Sequence, residues 1–200
     1  MSTDSRSLWH FSLTEFQQAV EKRPTPGCGA AAAVNACFGL SLVLKGLRLT
    51  ADKRQDDADT AELIERGDAL YRKLAAAVDD DAAAFAEWLA AKRLDDANAD
   101  KPARLEAAQA ASIEVPLAAA ACCEQALALA VESVDETAPM LESDTAVGAL
   151  MVKAGLEALL IGAEANLDGL DDEARRNAER RCETLRTDAG GHCRRLGLDA

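Results

Sequence analysis

Aromatic residues are scarce in this chain: two Trp, one Tyr and four Phe among 200 residues. Together with few β-branched residues, that shortage removes the usual material of a pleated, half-buried sheet. Histidine is nearly absent. His10 and His192 lie near the two ends, which leaves no arguable Ser/His/Asp arrangement. No glycine-rich phosphate loop or dinucleotide fingerprint occurs. Basic residues are outnumbered, 22 Lys and Arg against 35 Asp and Glu, for a net charge of −13. Such acidity opposes a phosphate-backbone interface, which needs clustered cations, so no nucleic-acid partner is expected. We find no uninterrupted run of about 20 apolar residues, the length a spanning helix needs, and expect no membrane segment. The first residues, MSTDSRSLWHF, lack the basic-then-apolar pattern of an export signal, and a cytoplasmic location is expected. Six cysteines are present: Cys28, Cys37, Cys122, Cys123, Cys182 and Cys193. None has a zinc-ligand spacing, so no metal is expected, and in a reducing compartment these are small apolar side chains or free thiols.

What is abundant is alanine, with leucine, glutamate and arginine. All are strong helix formers, because they lose little rotamer freedom in a helix. The expected fold is all-α: an antiparallel bundle of five to six helices forming a single domain over residues 1–200. Small side chains also favour close helix approach, which suits a tight bundle or an intimate dimer.

The periodicity places the elements. Ser12-Leu-Thr-Glu15 reads as a capping box opening a helix to about Lys22. Residues 30–50 are apolar nearly all round, as in a helix buried on most sides. Further helices are expected over about 60–92, 102–134 with Pro116 inside, 143–167 and 171–188, the last ended by Gly190-Gly191.

Two carboxylates fall on apolar stripes. Leu63, Gly67, Leu70, Leu74, Ala77, Asp81, Phe85 and Trp88 recur at steps of three and four, so they share one helix face. The neighbouring Asp79 and Asp80 are expected in solvent. Asp144 continues the stripe Val147, Met151, Ala154, Ala158, Ile161 and Ala165, opposite a wet face of Lys153, Glu157 and Glu164. A core carboxylate is costly unless it is paired, hydrogen-bonded or bound to a ligand. An N-cap accounts for Asp144, and a buried ion pair or a stripe turning outward accounts for Asp81. The functional alternative makes both walls of a pocket between helices.

The segment Arg23-Pro-Thr25-Pro26-Gly27-Cys28-Gly29 precedes the small-residue helix. Its glycines let backbone N–H groups face a ligand, and the helix start favours an anion. A thiol there, Cys28, is also at a position that favours the thiolate.

This segment resembles the Pro-Thr-Pro-Gly-Gly-Gly of the formiminotransferase-cyclodeaminase/methenyltetrahydrofolate cyclohydrolase family. Other segments agree in order. Leu49-Thr50 with Lys53 resembles the family's Asn-Leu-Thr and lysine-rich stretch, and Asp81-Ala-Ala-Ala-Phe85 its Asp-x-x-Ala-Phe. Val115-Pro116-Leu117 matches Val-Pro-Leu, and Ser143-Asp144 with the later Asn166 resembles the Ser-Asp segment and the helix after it. The chain departs from the pattern at Cys28, at Arg48 for asparagine, at the shortened Lys53-Arg54 run, and at Gly162 for one of two asparagines.

The resemblance implies a homodimeric helical bundle that hydrolyses methenyl-tetrahydrofolate to 10-formyltetrahydrofolate, a one-carbon step with a folate substrate and no added cofactor. The alternatives are a cyclodeaminase releasing ammonia from formimino-tetrahydrofolate, or a pterin-binding helical protein without turnover. It points to Asp144 and Asp81 as catalytic carboxylates. Thr25, Pro26, Gly27, Cys28, Gly29, Arg48, Lys53, Ser143 and Asn166 would contact the substrate.

Overall fold

The computed structural model describes residues 7–52 and 58–198. Lys53 and Arg54 lie outside them. The described residues form six α-helices: α1 (Leu13–Lys22), α2 (Cys28–Ala51), α3 (Ala58–Lys92), α4 (Lys101–Glu132), α5 (Glu142–Glu164) and α6 (Asp172–Arg195), with 3-10 turns at Leu8–His10 and Pro139–Leu141 and no strand among them.

Local chemistry sets several ends. The Ser12 hydroxyl accepts from Glu15 N–H at 3.2 Å, and the Glu15 carboxylate accepts from Ser12 N–H at 2.7 Å, the reciprocal capping box that starts α1. Pro102 occupies the first turn of α4, where its missing N–H costs nothing. Asp171 caps α6 by accepting from Glu173 and Ala174 N–H. The far end of α6 differs from expectation, because the helix runs through Gly190-Gly191 to Arg195. Ala189 and Cys193 on either side are buried, and their packing outweighs the glycines' helix penalty of about 1 kcal/mol each. The stop comes instead at Gly197, whose φ of +67° lets Leu198 N–H reach Cys193 C=O at 2.9 Å and Gly197 N–H reach Arg194 C=O at 3.0 Å.

Helices α2, α3, α4 and α5 form a closed ring of neighbours. Leu40, Leu44 and Leu47 of α2, Leu74 and Val78 of α3, Leu117 and Leu127 of α4, and Leu156 and Leu160 of α5 fill its centre. Helix α6 covers the α4/α5 edge, and the Leu8–His10 turn docks on α3. There Asp79, expected in solvent, accepts from Leu8 N–H at 2.8 Å, and the Trp9 indole donates to Ala75 C=O at 2.9 Å.

Helices α2 and α5 run antiparallel and nearly touch. A Cβ on Gly39 would fall 2.6 Å from Gly148 O, and one on Gly148 would fall 2.5 Å from Gly39 O. The obstacle in each case is helix backbone, which cannot rotate away. Gly39→Ala is therefore expected to cost about 1–3 kcal/mol of stability, read as a lower midpoint in urea denaturation; an unchanged midpoint would refute this crossing.

Three helical segments, α2, α4 and Pro139–Glu164, are long and apolar enough to cross a membrane by length and composition alone. The absence of an unbroken apolar run therefore does not exclude such windows: charges such as Lys45 and Arg48 fall near a helix end and leave an apolar stretch behind them. In this fold much of that surface is spent on helix–helix contact.

The stripe assigned to the core on α5 is also reversed. Val147 and Ile161 are 49% and 63% exposed, whereas Gly148, Val152, Leu156, Leu159 and Ala163 are buried. Glu157 and Glu164 do not face open water; both pair with Arg186 of α6, at 3.0 and 2.5 Å. Since α5 is apolar on nearly every side, its sequence leaves the choice of face to its neighbours.

Candidate functional site

A cavity of about 510 Å³ opens at one end of the bundle, where the N-terminus of α2 meets α3, α4 and the C-terminal end of α5. Asp81 forms part of its floor. Its Oδ2 accepts from Ala30 N–H at 2.9 Å, so a carboxylate on α3 satisfies one of the orphan donors at the start of α2. Gly27, at the cap position of that helix, supplies no side-chain bond.

Gly29 makes this approach possible. A Cβ there would sit 2.0 Å from Asp81 Oδ1 and 2.6 Å from its Cγ. The need for glycine at position 29 is therefore steric. At Gly27 the added atom would be in ordinary contact, 3.9 Å from Asp81 Oδ2. Burial raises the Asp81 carboxyl above its ordinary value of 3.8, and the Ala30 N–H partly opposes the shift. The stripe on α3 is thus core as far as Ala77, turns into the cavity at Asp81, and continues as its wall. Phe85 and Trp88 stack there with ring centroids 5.9 Å apart and planes at 18°.

The opposite wall comes from α4 and the end of α5. Pro116 has no N–H to offer the carbonyl of Ser112, one turn earlier. Asn166 answers that carbonyl through Nδ2 at 3.3 Å, and also donates to Gly162 C=O at 2.9 Å. Gln109 donates to Asp168 C=O at 2.8 Å. Gln109, Ser112 and Asp168 all line the cavity, and the sequence reading missed them. One signal was available: a mid-helix proline frees the carbonyl four residues before it, which marks Ser112 as a place that needs a donor. Gly162 leaves room beside Cys28, whose sulfur would be 3.7 Å from a Cβ at that position.

Of the residues expected to contact substrate, Gly27, Cys28, Gly29 and Asn166 meet here with Asp81. Thr25 and Pro26, joined by a cis peptide bond, line a second groove of about 750 Å³ with Leu8 and Asp79. Arg48 is bound to Asp68 on α3 at 2.5 Å.

Asp144 and Ser143 stand apart. Helix α5 starts at Glu142, one residue earlier than expected, so Asp144 is in its first turn rather than at the cap, where a carboxylate still favours the helix dipole. It accepts from Lys45 Nζ at 2.8 Å. Lys45 lies beyond Ala30 by fifteen residues of α2, about 22 Å along the axis. Within one chain, then, the two acids do not share a pocket, because the antiparallel course of α5 puts its first turn at the other end of the bundle.

The chain matches the formiminotransferase-cyclodeaminase family over residues 12–184. It is 32% identical to a methenyltetrahydrofolate cyclohydrolase of Methylorubrum extorquens, an alignment that covers 76% of each chain. Its fold is that of a formiminotetrahydrofolate cyclodeaminase from Thermotoga maritima, with a TM-score of 0.82 over 94% of both chains at 21% sequence identity. Its helices, its ordered motifs and these matches agree: the chain belongs to the formiminotransferase-cyclodeaminase family.

Proposed function

We propose that the protein hydrolyses methenyl-tetrahydrofolate to 10-formyltetrahydrofolate, with Asp81 as the acting carboxylate. The observation that carries this reading is a burial-raised carboxylate on the floor of an aromatic-walled cavity. The methenyl carbon bears a delocalised cation. A carboxylate beside it stabilises that charge in a low-dielectric site, and it accepts the proton lost when water adds. The C–N5 bond then breaks and the hydroxyl proton passes to N5, leaving the formyl group on N10. Net release is one proton, so no redox partner enters the balance. The relative named a methenyltetrahydrofolate cyclohydrolase supports this choice of substrate.

A raised carboxyl pKa also favours the protonated form, which suits an acid that delivers a proton to departing ammonia. That makes cyclodeamination the second reading. Mixing the protein with methenyl-tetrahydrofolate and following loss of the methenyl absorbance tests the first; ammonia release from formimino-tetrahydrofolate without methenyl hydrolysis would overturn it in favour of the second.

The protein acts, in this reading, as a homodimer joined through the outer face of α2 and α5. Phe38, Val147, Leu150 and Ile161 are exposed along that face. Two helices of about 35 Å lying side by side offer on the order of 700 Å² per copy, close to the usual size of a stable interface. The face runs from Cys28 and Ala165, which line the cavity, to the Lys45–Asp144 pair at the opposite end. The cavity lining holds Asp81 and Asp168 and no Lys or Arg. Antiparallel pairing sets each anionic cavity beside the partner copy's neutral Lys45–Asp144 pair, whereas parallel pairing sets two anionic cavities together. The antiparallel dimer thereby returns Asp144 to the site from the second copy, which keeps it as a proposed catalytic residue.

A further inference from the structure

One turn beyond the aromatic pair, α3 carries a cation. Lys92 Nζ lies 5.0 Å from the centre of the Trp88 ring. Asp81, Phe85, Trp88 and Lys92 therefore continue one face of a single helix at steps of four, three and four. The order along that face is a carboxylate, two stacked rings, then an ammonium. Nearby cations on α4 are engaged: Lys101 is held by Asp96 and by Leu94 C=O, and Arg104 by Glu87. The Lys92 head rests against an aromatic face instead, an arrangement that orients the charge without neutralising it.

Spacing supports reading this face as a template. Lys92 Nζ is level with Trp88, seven residues from Asp81, or about 10 Å along the axis. The proposed substrate has the same order of parts: a cationic reacting carbon, an aminobenzoyl ring attached to it, and a glutamate with two carboxylates. We propose that α3 reads the substrate by length, Phe85 and Trp88 packing against the aryl ring and Lys92 binding the carboxylates of the tail. The proposal rests on the folate reading above and adds to it a specificity determinant outside the cavity lining. A ring packed against the Phe85–Trp88 pair and a carboxylate on Lys92 also explain how a net-acidic protein holds an anionic ligand: one oriented cation at the mouth suffices, with the reacting end neutralised by Asp81.

The test compares two substrates in the full-length protein: methenyl-tetrahydrofolate, and the corresponding methenyl-tetrahydropteroate, which lacks the glutamate. Lys92→Glu is expected to raise KM for the first by about tenfold or more, the scale of a charge-assisted hydrogen bond. It should leave kcat for that substrate, and both constants for the tail-less substrate, within about twofold. Lys92→Arg should restore most of the affinity. Because Lys92 is exposed, the thermal midpoint should not move, and a large fall would show up as a loss on both substrates. Equal changes on the two substrates, or none on either, would overturn the role of Lys92 while the activity stands. Failure of the wild-type protein to turn over either substrate would overturn the folate reading, and this proposal with it.

Discussion

Asp81→Asn is expected to lower methenyl hydrolysis by about 10²- to 10⁴-fold, the usual worth of a positioned base, with no loss of thermal stability. The two readouts separate because Asp81 has two jobs. As a hydrogen-bond acceptor it holds Ala30 N–H at the start of α2, and asparagine keeps an acceptor oxygen of the same shape. As a charge it is a burden to the fold, since burial raises its carboxyl pKa. The native state thus keeps this proton to higher pH than the unfolded chain does. Ionising Asp81 costs stability as pH rises from the ordinary carboxyl range through the raised value, and the cost persists at neutral pH. The asparagine variant escapes it, so its melting temperature at neutral pH should equal or exceed that of the parent. Activity runs the other way: in the parent, kcat/KM should fall as pH drops through the raised Asp81 value, because the base is then protonated. A variant that melts well below the parent would show that Asp81 serves mainly to cap α2. Near-normal turnover would remove it from the chemistry.

Mixing two dead variants is expected to revive activity. If Asp81 of one copy and Asp144 of the other complete each site, Asp81→Asn and Asp144→Asn are each inactive as homodimers. Equal mixing with exchange of subunits makes half of the dimers mixed, and each mixed dimer has one site with both acids intact. About one quarter of the parent activity should return, as follows from two-fold symmetry and random pairing. The measurement is turnover of the mixture after co-refolding of differently tagged copies, and the mixed dimer isolated by its two tags should show about one half of the parent activity. Mixed dimers without activity would confine the chemistry to one chain, as would an Asp144→Asn protein that is already active alone. Elution of the wild-type chain as a monomer at micromolar concentration would overturn the dimer itself, and the exposed Phe38, Val147 and Ile161 would then lack the partner surface proposed for them.

Much of this protein follows from its sequence because much of it is local. Alanine-rich helices, the Ser12–Glu15 box and Pro102 in a first turn involve residues a few positions apart, and the structure has each of them. Asp81 was also legible as a site: a carboxylate at a core step of the α3 stripe demands a partner, and the structure supplies Ala30 N–H at the start of α2. The failures share a cause. On α5, which is apolar on nearly every side, periodicity does not say which face meets the core; α2, α4 and α6 decide it, leaving Val147 and Ile161 outside and turning Glu157 and Glu164 toward Arg186. Gly190-Gly191 read as a stop, but burial of Ala189 and Cys193 carries α6 onward to Gly197. Asp81 and Asp144 looked alike as acids on apolar stripes, and their separation depends on the direction in which α5 passes α2. The sequence determined the helices and marked Asp81 as an acid in need of a partner. Only the tertiary structure decided which faces remain uncovered and which acids share a cavity, because those outcomes depend on contacts between residues far apart in the chain.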